Sequence, residues 1–250
     1  MNSPVISEHR RLRRELGRRA DRSQGRFLRQ YLGSPLPVLG VRAPEIRKLL
    51  RESRARLRAL SPSARLALAR SLWNGRTFEE RLLAVALLDQ FLPAGEPRAW
   101  RLLDRWVDAA TGWALSDSLA AGPIARSLAQ DGRHFAEILR WTRSRSFWRR
   151  RASTYALHDW VFAGKLDRPF RLLERLVADP EFWVQRAVGT WLRECWKQNP
   201  RRTERFLLRH ARVLAPVTVS VATKRAPKEL LLELRRVRAA GRGRASGQAY

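Results

Sequence analysis

Trp113 and Asp117 in "GWALSDSLA" stand four residues apart, so on a helix they share one face, one turn from each other. An indole beside a carboxylate can hold a planar cation, since the ring face attracts positive charge and the carboxylate adds a full opposite charge. A plainer arrangement fits too, with Asp117 capping a helix or pairing with an arginine and Trp113 packed in a core. Arg151 in "FWRRRAS" follows Trp148 by three residues, and Arg186 in "FWVQRAV" follows Trp183 by three. Their planar forks suit phosphate oxygens, or serve as ion pairs. Arg149, Arg150 and Arg151 are consecutive, so they fan around a helix at about 100° intervals and cannot all meet one partner.

The elements that must hold these residues recur. Phe78, Trp113, Trp148 and Trp183 follow one another at steps of 35 residues, a period that suits a two-helix repeat. Three residues after them stand Arg81, Ser116, Arg151 and Arg186; four after, Leu82, Asp117, Ala152 and Ala187. Asp117 is the one carboxylate where the other copies place an apolar residue. Eight after come Ala86, Ala121, Ala156 and Trp191; the Trp191 ring either fills space near the end of the array or stands in a groove. Trp148 and its counterparts read as packing anchors.

Apolar residues recur at spacings of three and four nearly throughout, and alternating runs are almost absent, so the chain is expected to be all-α. Ser61-Pro62, Asp179-Pro180 and Asn199-Pro200 pair a capping side chain with a proline and mark helix starts. Breaks are expected near Gly33 to Pro37, Pro93 to Pro97, Gly122-Pro123, Gly164 and Pro216, with helices of about 10 to 18 residues between them. Stacked helical hairpins of this kind form a curved α-solenoid with a concave surface. Residues 1–240 read as a single repeat domain, and the tail "GRGRASGQAY", which lacks a hydrophobic face, as a disordered end.

Lys and Arg number 51 against 23 Asp and Glu, a formal charge of +28. Arginine bias alone does not explain the shortage of acids, and a polyanion, nucleic acid ahead of a membrane surface, is the expected partner. Cys195 is the sole cysteine, which rules out an intrachain disulfide and a Cys-rich zinc site. His9, His134, His158 and His210 are scattered without ligand spacing, and no phosphate-cradling glycine motif occurs, so neither metal nor cofactor is expected. No stretch approaches the roughly 18 apolar residues of a membrane span, and no apolar leader opens the chain. An intracellular, monomeric protein is expected.

With these residues in view, the chain resembles the AlkD-type DNA alkylation repair glycosylases, HEAT-like helical repeat proteins. The resemblance runs over roughly residues 25 to 215 through "YLGSPLPVLGVRAPEIRKLL", "LWNGRTFEERLLAVALLDQF", "GWALSDSLA", "FWRRRAS" and "EFWVQRAVGTWLRE". It implies hydrolysis of the bond between deoxyribose and a cationic alkylated purine, of the 7-methylguanine or 3-methyladenine type, in double-stranded DNA, without extrusion of the base. It further implies that Asp117 stabilises the sugar cation, that Trp113 lies against the lesion, and that Arg151 holds a phosphate, with Arg186 in the equivalent place one unit later. The family's further Trp corresponds to Thr190, whereas Trp191 stands one residue later, a rotation of about 100°. Two other classes stay open: a non-catalytic relative that binds damaged or branched DNA through the same surface, favoured by the displaced Trp191, and a protein-binding scaffold, which the charge opposes.

Overall fold

Ser61 and Asn199 behave as their place before proline predicts. In the computed structural model the Ser61 hydroxyl accepts from the amide of Ala64 at 3.2 Å and the Asn199 side-chain oxygen from that of Arg202 at 3.0 Å, and each helix begins at the proline. The structure describes residues 3–32, 34–91, 97–110 and 112–245. Among them no strand occurs. Asp179-Pro180 departs from the expectation: the helix there starts at Phe182. The Asp179 carboxylate instead accepts from Nε of Arg150 at 2.6 Å and from the Glu181 amide at 3.0 Å.

Two compact units, Met1–His134 and Phe135–Tyr250, divide the chain. The first holds α1 (Ser3–Arg18), α2 (Arg22–Leu32), α3 (Ala43–Glu52), α4 (Arg54–Ala59), α5 (Pro62–Trp73), α6 (Phe78–Phe91), α7 (Pro97–Ala109), α8 (Trp113–Leu119) and α9 (Ala125–Gln130). Its core is leucine-rich; Leu12, Leu16, Leu68, Leu72, Leu83 and Leu87 are fully buried, each stabilising the fold by about 1.5–3 kcal/mol through burial. Trp73 and Trp106 stack at 4.3 Å between α5 and α7, with the Arg81 guanidinium 5.2 Å from the Trp73 ring centroid.

At the start of α6, the Glu79 carboxylate accepts three backbone amides from the loop that precedes α3: Leu39 at 3.0 Å, Gly40 at 2.9 Å and Val41 at 3.2 Å. Burial pushes the Glu79 carboxyl above its ordinary range, against the pull of these amides. The loop continues onto α2. Gly40 has φ 85°, and a Cβ there would lie 2.1 Å from the carbonyl oxygen of Asp21, so only glycine fits. A Cβ on Gly25 of α2 would lie 2.6 Å from the Val38 oxygen, which shows how closely helix and loop approach.

The second unit holds α10 (Phe135–Trp141), α11 (Phe147–Tyr155), α12 (His158–Phe162), α13 (Asp167–Glu174), α14 (Phe182–Gln198), α15 (Pro200–His210), α16 (Pro216–Ala222) and α17 (Lys228–Ala245). α14 is central, packing against α11, α12, α15 and α16. Gly189 permits the closest approach, since a Cβ there would come within 2.8 Å of the Thr218 oxygen on α16. Gln185, 2% exposed, donates to the carbonyls of Leu176 and Asp179 and accepts from the Thr218 hydroxyl, so that its buried amide is satisfied.

The 35-residue step has a structural counterpart: Phe78 and Trp113 open α6 and α8, while Trp148 and Trp183 are the second residues of α11 and α14. Helices α8 to α13 run only five to nine residues, shorter than expected and too short to persist without packing. At Gly122-Pro123 the chain kinks rather than breaks, passing from α8 to α9 through the π turn Ala120–Ile124, where Gly122 has φ −95° and ψ −107°. Gly164, at φ 70°, separates α12 from α13. α17 continues past Gly241 to Ala245; residues 246–250 of the tail, Gly33 and Pro93 lie outside the described residues.

Glu79→Ala is predicted to cost about 3 kcal/mol in urea unfolding, because three loop amides lose their acceptor. A loss below about 1 kcal/mol would show that the loop is held by other contacts.

Candidate functional site

Gly112 precedes α8 with φ 83°, a conformation that lets the chain turn directly into the helix carrying Trp113 and Asp117. Both side chains are half-buried, while Ser116 between them is fully buried; the pair therefore lies at the edge of the core and not within it. Trp113 is oriented by α2: its Nε1 donates to the Tyr31 carbonyl at 3.3 Å, and its ring meets that of Tyr31 edge-on at 5.4 Å. Tyr31 in turn stacks on Phe27 at 6.0 Å, and the two rings are 60% and 62% exposed. α2 also carries Arg22, Arg26 and Arg29, so two exposed aromatics stand in a strongly basic helix. Phe27 and Tyr31 escaped the sequence reading. Their signal was an aromatic pair at i and i+4 in an arginine-rich helix, a pattern open to a core face as well.

In the second unit the three consecutive arginines point three ways. The Arg149 guanidinium lies 4.9 Å from the Trp141 ring centroid; Arg150 bridges to Asp179; Arg151 donates to the Trp183 carbonyl at 2.7 Å and to the Tyr155 hydroxyl at 3.0 Å. Arg151 is only 4% exposed. Its guanidinium lies 4.9 Å from the Tyr155 ring and 5.9 Å from that of Trp183, tying α11 to the first turn of α14. Arg186 is exposed, and the Thr190 hydroxyl donates to the Arg186 carbonyl at 3.0 Å.

Trp191 is 3% exposed, with its ring edge-on to Tyr155 at 5.5 Å and to His158 at 6.0 Å and its buried Nε1 without a hydrogen-bond partner among the described residues. The rotation of about 100° from Thr190 turns it inward, so of the two placements open in the sequence it takes the space-filling one. The exposed rings lie elsewhere. Phe182 and Trp183 are 52% and 37% exposed, and Trp183 lies 6.0 Å from the half-buried Trp148, which lies 4.6 Å from Phe147. Trp148 and Trp183 are thus not core anchors. The doubled "FW" carried that information, because neighbouring bulky rings about 100° apart cannot both face a core.

Cys195 is buried, and burial pushes its thiol up to about 12, which removes it as a nucleophile. Among the described residues, no three His, Cys, Asp or Glu side chains gather as metal ligands, and no helix is long and apolar enough to cross a membrane.

A family model described as "DNA alkylation repair enzyme" matches residues 12–226. The chain belongs to that family. Its fold is similar to that of a predicted DNA alkylation repair enzyme from Enterococcus faecalis, with a TM-score of 0.72 at 18% identity over 84% of this chain and 98% of that one. It is also similar to AlkD2 from Streptococcus mutans, with a TM-score of 0.59 at 17% identity over 72% and 89% of the two chains. A third likeness is smu.31 from Streptococcus mutans UA159, with a TM-score of 0.57 at 18% identity over 80% and 98%. No curated protein sequence matches. At these identities the solved structures establish the shared all-helical, AlkD-like fold, and membership of the repair family rests on the match over 12–226.

Arg151→Ala is predicted to lower stability by about 1.5–3 kcal/mol, since a charged donor to Trp183 and Tyr155 is lost from the interior, whereas Arg186→Ala stays within about 0.5 kcal/mol. Thermal unfolding of the two variants checks this; equal losses would contradict the contrast in burial.

Proposed function

We propose that the chain is a DNA glycosylase that hydrolyses the N-glycosidic bond of cationic alkylated purines, of the 7-methylguanine or 3-methyladenine type, in duplex DNA. The observation that carries the reading is the half-buried Trp113–Asp117 pair on α8 in a member of the DNA alkylation repair family with a charge of +28.

Alkylation at N7 or N3 makes the purine cationic, so it departs as a neutral base with the electron pair of the C1′–N9 bond and needs no proton donor. The positive charge moves to the deoxyribose ring. Asp117 is assigned to stabilise that charge, as the second carboxylate of a glycosidase does. Water then bonds to C1′, leaving an abasic sugar, the free base and a proton. Trp113, its indole N–H anchored on Tyr31, offers a ring face to the cationic base and sugar.

The exposed Arg186 is assigned to a backbone phosphate, the exposed rings of Phe182 and Trp183 to the duplex surface, and Thr190 to the same contact region. Arg151, assigned to a phosphate by the resemblance, is better suited to positioning, since its donors hold Trp183 and Tyr155. Trp191, packed against Tyr155, is assigned to support the contact region on α14. The protein would act as a monomer, inside the cell, with no metal or cofactor.

Incubation with duplex DNA containing 7-methylguanine is predicted to release free base faster than the spontaneous rate, and Asp117→Asn to slow release by about 10²-fold or more. Arg186→Ala should weaken binding whatever the sequence and reduce the salt slope by about one phosphate. Thr190 at the family's Trp position, with Trp191 buried, favours the second reading, a non-catalytic DNA-binding relative. Tight duplex binding with no release above background would select it.

A further inference from the structure

In the second unit, helices α13 and α15 enclose a cleft of about 430 Å³, within the range of about 300–1,000 Å³ for small-molecule pockets. Its floor is aromatic: Phe170 and Phe206 are buried and lie 5.1 Å apart. Its walls are basic. Arg205 and Arg209 are one turn apart on α15, Arg171 stands on α13, and all three are exposed and make no ion pair among the described residues.

One of the cleft's two acids is neutralised: Asp167 pairs with Arg202 at 2.7 Å. Glu174, by contrast, lies 3.4 Å from Nε2 of His210, whose pKa burial lowers, so that Glu174 keeps its charge. Arg202 is held further by lying 4.9 Å over the Phe170 ring. Three exposed guanidiniums against one carboxylate leave the cleft with a net positive charge that attracts an anion.

We propose that this cleft binds a compact di- or triphosphate. Guanidinium forks match phosphate oxygens in pairs and form their strongest hydrogen bonds with them, and the cleft's net positive charge suits such a group. A continuous nucleic-acid strand fits less well, because one that runs along α13 past Arg171 meets the charged Glu174 one turn on, 52% exposed, whereas a compact anion needs only Arg171, Arg205 and Arg209. The cleft shares no residue with the proposed reaction centre and does not depend on it.

Titration calorimetry with inorganic pyrophosphate tests the proposal on the full chain. The wild type should bind one equivalent, Arg205→Gln with Arg209→Gln should weaken binding at least about tenfold, and the charge-matched pair Arg235→Gln with Arg236→Gln on α17 should leave it within about twofold. Equal weakening by both pairs would reduce the effect to net charge and overturn the site. Loss of duplex affinity in the Arg205/Arg209 variant, with displacement of pyrophosphate by duplex, would assign the cleft to nucleic acid instead and equally overturn it. Circular dichroism confirms that both variants keep their helices.

Discussion

The carboxylate of Glu79, buried at the start of α6 and closed by three loop amides, is the contact on which the first unit's chemistry rests. It fixes the segment from Leu39 to Val41, against which α2 packs at Gly25. α2 carries Tyr31, whose carbonyl takes the indole N–H of Trp113. The orientation of the candidate reaction centre therefore runs back through one buried acid that takes no direct part in it. Glu80 plays a parallel role, accepting from the Thr77 amide and hydroxyl and from the Arg76 amide.

In a chain with 51 basic and 23 acidic residues, such acids are scarce, and their placement sorts the arginines. Those met by a buried acceptor become structural, as with Arg150 on Asp179 and Arg151 on the Trp183 carbonyl. Arginines such as Arg186, Arg205 and Arg209 remain exposed, where their charge is open to anions from solution. Adjacent arginines in one short run thus serve different ends according to the helix face they occupy.

Helix class and the repeat step were legible because both depend on local chemistry: Ser61 and Asn199 satisfy amides three residues on, and the aromatic that marks each copy stands in a first turn. Burial was less legible, because it depends on neighbouring helices. Trp148 and Trp183 repeat in register yet are half-buried and exposed, and Trp191, for which the sequence left groove and core both open, faces inward. Asp179 reads as a cap but is claimed by an arginine 29 residues away in sequence. The Trp113–Asp117 pair was legible as a pair on one helix; its tie to Tyr31 was not, since 82 residues separate the partners.

The central claim is that Asp117 and Trp113 release a base that carries its own positive charge, with electrostatic stabilisation and no acid. Single-turnover release from matched duplexes bearing either 7-methylguanine or the neutral base hypoxanthine tests it most directly. The account predicts release of the cationic base alone, the neutral one staying at the spontaneous rate. Comparable release of both would contradict it, because a neutral purine leaves only with a proton donor that the proposed site does not contain.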